Sequence, residues 1–276
     1  MMLGGEAASR LRALAGQGDD EIDLAEAALA LALLAAPKTN LAPYRDHLAA
    51  IAGDVADAGR GGARLGARIA ALNQVIFTRH GYEGDTLTYD DLENANLIRV
   101  IDRRRGLPVA LGVIYIHAAR AQGWRAEGLN FPGHFLLRLE FGSERAIVDP
   151  FHGGRERSTA DLRDLLKASA GNDAELTPRL YEPVGNRDVL LRLQNNVTTR
   201  LARDGRLDDA VASLDAMILF APGESRLWFE RGAYQARLGN LGAAIESLEA
   251  FIARADSDGA RREAAALMQR LRRRLN

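Results

Sequence analysis

The sequence contains no cysteine among its 276 residues. This absence excludes disulfide bonds, zinc sites built from thiolates and any reaction in which a cysteine of the chain is the nucleophile. It also fits a reducing compartment. The N-terminal sequence MMLGGEAASR lacks the basic region and apolar core of a signal peptide, and we therefore expect a cytoplasmic protein.

Strong net charge and long apolar runs are also lacking. The formal net charge is −1, which gives no general attraction to nucleic acid or to an anionic membrane. The best apolar run, residues 25–36, is too short to span a bilayer and contains Glu26. We therefore expect neither a nucleic-acid nor a membrane partner, and nothing in the sequence calls for a cofactor.

What the sequence does contain is an apolar helix followed by a β-hairpin, within residues 106–154. Pro108 suits the first position of a helix, and apolar residues occupy nearly every angle after it, so the helix should be enclosed on most sides. Gly142-Ser143 suits a type II′ turn, which sets Phe141 opposite Glu144 and Leu136 opposite Asp149. One face of the hairpin is then a core face, formed by Phe135, Leu137, Leu139, Phe141, Ala146 and Val148.

In that register His134 and Asp149 are diagonal neighbours, with α-carbons roughly 7–8 Å apart. A carboxylate that accepts from one imidazole nitrogen fixes the tautomer and raises the basicity of the other nitrogen. The pair could therefore be half of a nucleophilic catalytic apparatus. It could equally be a structural hydrogen bond between two strands.

The motifs around this pair resemble those of the SirB family, a branch of the transglutaminase-like superfamily. The resemblance covers roughly residues 15–185 and rests on YDDLENANLIRVIDRRR, GLPVALGVIYIHAARAQGW, FPGHF and DPFHGG. It implies an α+β, papain-like core of helices packed on a small antiparallel sheet. A buried helix would present a nucleophile to a histidine and an aspartate on the sheet, which correspond to His134 and Asp149.

The nucleophile of that pattern is absent. In catalytic relatives a Gly-x-Cys sequence opens the helix, and the matching positions here are Gly106, Leu107 and Pro108. No serine or threonine lies between Leu97 and Ser143 to replace the thiol. The family pattern D-P-E-N-S also departs here, to DLENA at residues 91–95. The resemblance places Glu93, Asn94 and Arg105 with Pro108 along the cleft at the mouth of the helix.

The rest of the chain divides into flanking helices and a repeat segment. We expect residues 1–18 to lack regular structure, a helix capped by Asp19 or Asp20, and further helices at about 44–52 and 64–79. Ser158 and Asp161 predict a capping box for a helix that runs to about residue 169. Residues 178–186 should form a linker, so that residues 1–185 form a transglutaminase-like domain with an N-terminal helical brace.

Residues 186–276 predict two tetratricopeptide repeats followed by a capping helix from Gly259 to Asn276. Small or apolar residues recur 34 positions apart, which is the period of such helix pairs. The recurring pairs are Gly205 and Gly239, Ala210 and Ala244, and Leu214 and Leu248. Asp256 departs from the proline expected at the end of the second repeat, where the first repeat has Pro222.

Two functional hypotheses follow. The first is a non-catalytic interaction or regulatory protein, in which the vestigial cleft and the repeats bind a protein or peptide partner. The second is a hydrolase in which His134, oriented by Asp149, activates water. A variant of the second uses a metal ion held by His134, Asp149 and His152, although His152 is more simply a residue at the rim.

Overall fold

The computed structural model describes residues 5–275, which form two compact units. One unit, called here the core unit, covers Asp19–Leu193. The other, called the repeat unit, consists of the described residues before Asp19 and after Leu193. The division lies within one long helix, and the domain boundary predicted at 185–186 stays a prediction. The expected α+β fold, with a small antiparallel sheet followed by helical repeats, is confirmed.

The core unit combines helices with a five-stranded antiparallel sheet. Its helices are α2 (Leu24–Ala32), α3 (Ala42–Ala58), α4 (Leu65–Asn73, continued by a π-helical segment Gln74–Arg79), α5 (Leu97–Arg103), α6 (Pro108–Arg120), α7 (Thr159–Ala170) and the start of α8 (Asn186–Arg203). Its strands are β1 (Glu83–Gly84), β2 (Arg105–Gly106), β3 (Arg125–Leu129), β4 (Leu137–Phe141), β5 (Glu144–Asp149), β6 (Arg155–Glu156) and β7 (Pro183–Val184). The sheet has the order β6-β5-β4-β3-β7, while β1 and β2 form a separate parallel pair.

Helix α6 is the centre of the core unit. Pro108 is its first residue, as predicted, and all its side chains except those of His117 and Arg120 are buried. Gly112 lets the helix approach the sheet closely, because a Cβ atom there would collide with the ring of Phe135. The predicted enclosure of this helix is therefore confirmed.

The hairpin register is also confirmed. Phe141 pairs with Glu144 and Leu137 with Val148, and Gly142 at the turn has a positive φ of 59°. The face predicted to be apolar contacts α6 through Phe135 and Leu137. The opposite face is covered as well, since α7 supplies a second apolar cluster that consists of Leu129, Phe131, Leu136, Leu162 and Leu166.

Three expectations about the flanking segments were wrong. Asp23, rather than Asp19 or Asp20, caps the first helix of the core unit, and it accepts hydrogen bonds from the N–H groups of residues 25 and 26. The helix expected at 44–52 is the longer α3. The supposed linker contains strand β7, in which Pro183 occupies an edge where a missing N–H group costs nothing.

The repeat unit consists of α1 (Glu6–Leu14), the end of α8, α9 (Leu207–Phe220), α10 (Ser225–Arg237), α11 (Leu241–Arg254) and α12 (Asp258–Leu275). The residues that recur at 34 positions act as predicted. Ala210, Ala244, Leu214 and Leu248 are completely buried, and Gly205 and Gly239 both have a positive φ at the turns between helices. The capping helix begins at Asp258, and Asn276 lies outside the described residues.

The expectation that residues 1–18 lack regular structure was wrong for residues 6–14, and residues 1–4 lie outside the described residues. Helix α1 packs against α9 within the repeat unit and buries Ala8, Leu11 and Leu14. These residues are three apart, so they share one face of the helix, and burial of that face stabilises a helix that is short by itself. Among residues 5–275, no helix has both the length and the apolar character needed to cross a bilayer.

Candidate functional site

The hairpin brings His134 and Asp149 into direct contact. Gly133, with a φ of 73°, turns the chain into His134 before β4, and Asp149 is the last residue of β5. Nε2 of His134 lies 3.0 Å from Oδ1 of Asp149. The histidine side chain is 15% exposed and the aspartate is completely buried. Nδ1 of the imidazole makes no hydrogen bond to any described residue, so it is the nitrogen available to a reacting group.

Asp149 is held by more partners than the sequence suggested. Its carboxylate caps the 3₁₀ turn Pro150–His152 by accepting from the backbone N–H groups of Phe151 and His152. Oδ2 also lies 2.9 Å from Nδ1 of His152. Burial alone raises the pKa of this carboxyl group. Hydrogen bonds from His134, Arg157 and His152 outweigh that effect and hold the pKa of Asp149 well below its usual range.

Arg157 is the partner that sequence reasoning missed. Its Nη2 and Nε atoms donate to Oδ2 of Asp149 over 2.6 and 3.1 Å, and its side chain is only 9% exposed. The guanidinium thus neutralises the buried carboxylate, in a charge-assisted arrangement. Nothing in the sequence distinguishes Arg157 from Arg155, which is largely exposed and pairs with Asp161 but not with Asp149.

A second arginine supports His134 from the other side. Nη2 of Arg192, near the start of α8, donates to the backbone carbonyl of His134 over 2.8 Å. The guanidinium also lies over the ring of Phe135, 5.5 Å from its centroid. Burial lowers the pKa of Arg192. This arginine lies 58 residues from the histidine in sequence, and no local pattern indicates the contact.

Of the residues predicted to line the cleft, Asn94 and Pro108 are buried at the start of α6. The backbone carbonyl of Asn94 accepts from the N–H of Leu107, and its side-chain amide donates to Thr88. Leu107 is itself completely buried, so an apolar side chain occupies the entrance to the helix.

Glu93 and Arg105 are exposed, and their contacts lie elsewhere. Glu93 pairs with Arg99 and Arg103, and Arg105 pairs with Glu83. Arg103 is the arginine that also reaches Asn94. Within residues 5–275, neither Glu93 nor Arg105 has an ion pair or hydrogen bond with His134 or Asp149.

Two aromatic side chains lie beside the imidazole groups of His134 and His152. The ring of Phe151 meets those of His134 and His152 edge-on, with centroids 6.1 and 5.3 Å away. Tyr89 packs against the other side of Phe151 and is 40% exposed. The imidazole of His134 is therefore enclosed by apolar groups on one side and by the Asp149 hydrogen bond on another.

The side chains of His134, Asp149 and His152 are also candidate ligands of a metal ion. Ligand atoms of His134, Asp149 and His152 lie within 4.8 Å of one another, as a metal site requires. Nη2 of Arg157, however, lies 2.6 Å from Oδ2 of Asp149 and 3.0 Å from Nδ1 of His152. A guanidinium keeps its charge at any ordinary pH and repels a divalent cation. The arrangement therefore fits an arginine-paired carboxylate better than an open metal centre.

Comparison with known families agrees with the fold and the motifs. Residues 42–195 match the transglutaminase-like superfamily, and residues 199–272 match the tetratricopeptide repeat. The first match covers more than half of the chain, so the chain belongs to the transglutaminase-like superfamily and carries tetratricopeptide repeats after that domain.

Individual relatives refine this assignment. A UPF0162 protein of Xylella fastidiosa is 31% identical over 188 residues, which cover 67% of each chain. A UPF0162 protein of Vibrio cholerae is 29% identical over 242 residues, covering 87% of this chain and 89% of its own. These relatives confirm the resemblance to the SirB family. Human F-box only protein 21 is 27% identical over 183 residues, but the match spans only 28% of that longer protein.

Proposed function

We propose that this chain is a non-catalytic member of its superfamily that acts as a protein-interaction or regulatory module. One observation carries the proposal: the residue that opens the central helix is Pro108, which has no nucleophilic atom, in a chain without cysteine. Covalent acyl transfer needs an atom that attacks the substrate carbonyl. The surrounding scaffold, including the His134–Asp149 contact, keeps its shape without that atom.

The state of Asp149 supports a structural role for the cluster. In a catalytic triad the acidic member orients a histidine and stabilises its positive charge. Here the carboxylate also accepts from Arg157, from His152 and from two backbone N–H groups. Its charge is already balanced by the guanidinium of Arg157. The cluster then serves to join β5, β6 and the turn after Asp149.

The repeats supply the interaction part of the proposal. Tetratricopeptide repeats generally mediate contacts between proteins, and residues 199–272 match that repeat. A protein or peptide partner is therefore the class of ligand that we propose. A cytoplasmic location and a regulatory role in bacteria are parts of the same proposal.

A hydrolysis screen tests the non-catalytic assignment. The full chain and His134→Ala are compared on a panel of amide and ester substrates. We expect no turnover that depends on His134, because no nucleophile is present. Turnover by the wild type at least tenfold above that of His134→Ala would contradict the proposal.

One observation favours the alternative of a water-activating hydrolase. Nδ1 of His134 makes no hydrogen bond among the described residues, while Nε2 is oriented by Asp149 over 3.0 Å. A water molecule at Nδ1 could be deprotonated there without a covalent intermediate. The same screen decides between the two functions, since only this alternative predicts His134-dependent turnover, with a rate that falls as the imidazole becomes protonated.

A further inference from the structure

The repeat unit contains a cavity of about 720 Å³, which is within the range of pockets that bind small ligands and peptide side chains. It is bounded by α9, α10 and α11, with Arg12 of α1 at one edge. Its walls include Val211, Ile218, Leu219 and Trp228. A ligand with an apolar portion would therefore bury that portion here.

Charged groups around the cavity are predominantly acidic. Among the lining residues, carboxylates outnumber guanidinium groups four to two. Asp215 is already paired with Arg231 over 2.6 Å, and Asp209 with Arg206. The side-chain carboxylates of Asp208 and Glu246 have neither an ion pair nor a hydrogen bond with any of the described residues. These two exposed carboxylates are available to a cationic group of the ligand.

The wall of the cavity also offers a side-chain donor, on a largely buried glutamine, that has no partner among the described residues. Gln235 is only 8% exposed and lines the cavity. Its Oε1 accepts from Asn240 over 2.8 Å, but its Nε2 donates to no residue in the part of the chain that the structure describes. A ligand carbonyl would accept a hydrogen bond from this amide group in place of water.

We infer that this cavity binds a peptide segment of a partner protein that carries basic and apolar side chains together. The apolar walls receive an aliphatic side chain, Asp208 and Glu246 receive a lysine or arginine, and Nε2 of Gln235 donates to a backbone carbonyl. A peptide supplies all three groups at close spacing. The inference rests on the proposed interaction function and adds to it the surface and the chemistry of the partner.

The test uses the full chain and two labelled peptides. One has two lysines flanking a leucine in a glycine–serine background, and the other has glutamates in place of both lysines. Fluorescence anisotropy should show saturable binding of the lysine peptide alone, weakened by added salt because exposed charges are screened. Binding should weaken at least tenfold in the double variant Asp208→Asn with Glu246→Gln, and several-fold in Gln235→Leu.

Glu263→Gln is the matched control, since this exposed glutamate lies on α12 and does not line the cavity. It should bind the lysine peptide like the wild type, and circular dichroism should show all variants to be folded. No saturable binding, equal binding of the glutamate peptide, or unchanged affinity in the double variant would each overturn the inference. Failure of the non-catalytic proposal would instead appear as His134-dependent turnover, which this binding assay does not measure.

Discussion

The cluster around Asp149 and the cavity of the repeat unit differ in how many of their polar groups have hydrogen-bond or ion-pair partners within the protein. In the core unit, one buried carboxylate accepts from two imidazoles, a guanidinium and two backbone N–H groups. In the repeat unit, two carboxylates and the side-chain amide donor of a largely buried glutamine lack partners among the described residues. Groups that are satisfied internally maintain a fold, whereas unsatisfied groups in a cavity favour a ligand. This difference favours the cavity, rather than the cluster around Asp149, as the binding surface that we propose.

The largest effect is expected from a substitution in the cluster around Asp149, where the polar groups have partners within the protein. Asp149→Asn removes a buried negative charge and leaves Arg157 with only the more distant carboxylate of Asp161, at 4.0 Å, which should cost about 3–5 kcal/mol in the free energy of unfolding. Denaturant unfolding at neutral pH measures this loss. Asp164→Asn is the control, because Asp164 is exposed on the same unit and should change stability by less than about 0.5 kcal/mol.

The difference in unfolding free energy between wild type and Asp149→Asn should change with pH in a defined direction. The folded-state pKa of Asp149 is lowered, so its contribution to stability is complete above the unfolded pKa of about 3.9. It is lost as the pH falls through the lower, folded-state pKa. The gap between wild type and Asp149→Asn should therefore narrow below about pH 4. A gap that stays constant down to the acid limit of folding would contradict the assignment of the charge.

A second prediction is that Arg157 prevents a metal ion from binding to the cluster. Arg157→Ala removes the guanidinium from the donors of His134, Asp149 and His152, and should cost about 2–3 kcal/mol as a charge-assisted hydrogen bond is lost. The emptied cluster should then bind Zn²⁺ at least tenfold more tightly than the wild type, as measured by isothermal titration calorimetry. Arg155→Ala serves as the control. Zinc binding of equal strength in wild type and Arg157→Ala would show that the guanidinium does not block a metal.

A third prediction compares the effect of adding one methyl group to a helix of each unit. Gly112→Ala places a Cβ atom against the ring of Phe135 and should destabilise the chain by about 1–3 kcal/mol. Gly242→Ala in α11 meets no atom within 4 Å and should instead stabilise by up to about 1 kcal/mol, since alanine favours a helix. Thermal unfolding measures both changes. Stability changes of the same sign for the two substitutions would contradict the close approach of α6 to the sheet.

Local patterns in the sequence were sufficient to predict the elements that carry the site. The Gly142-Ser143 turn defines the hairpin register, Pro108 starts α6, and Ser158 with Asp161 forms the predicted capping box. Each of these features depends on residues within a few positions of one another. Once the register was known, the proximity of His134 and Asp149 followed.

What could not be predicted depends on contacts between residues distant in the chain. Asp19 does not cap the helix that follows it; instead its carboxylate accepts from the N–H groups of Asn186 and Arg187 at the start of α8. Arg192 likewise reaches the carbonyl of His134, 58 residues away in the sequence. Partners of this kind are set by tertiary packing, and a single sequence carries no signal for them.

The central claim is that the core unit is a thiol-enzyme scaffold from which the attacking atom has been lost. Pro108→Cys restores that atom, and since the chain has no other cysteine, thiolate absorbance followed below the pH range in which the six tyrosines ionise reports on this residue. A thiol at a helix N-terminus has a lowered pKa, and an imidazole within reach lowers it further, so the response to His134→Ala tests whether His134 reaches position 108. The account predicts that the thiol pKa of the variant lies well below the usual value of about 8.5. It should also rise when His134→Ala is added. A thiol pKa at its usual value that does not respond to His134→Ala would contradict the account.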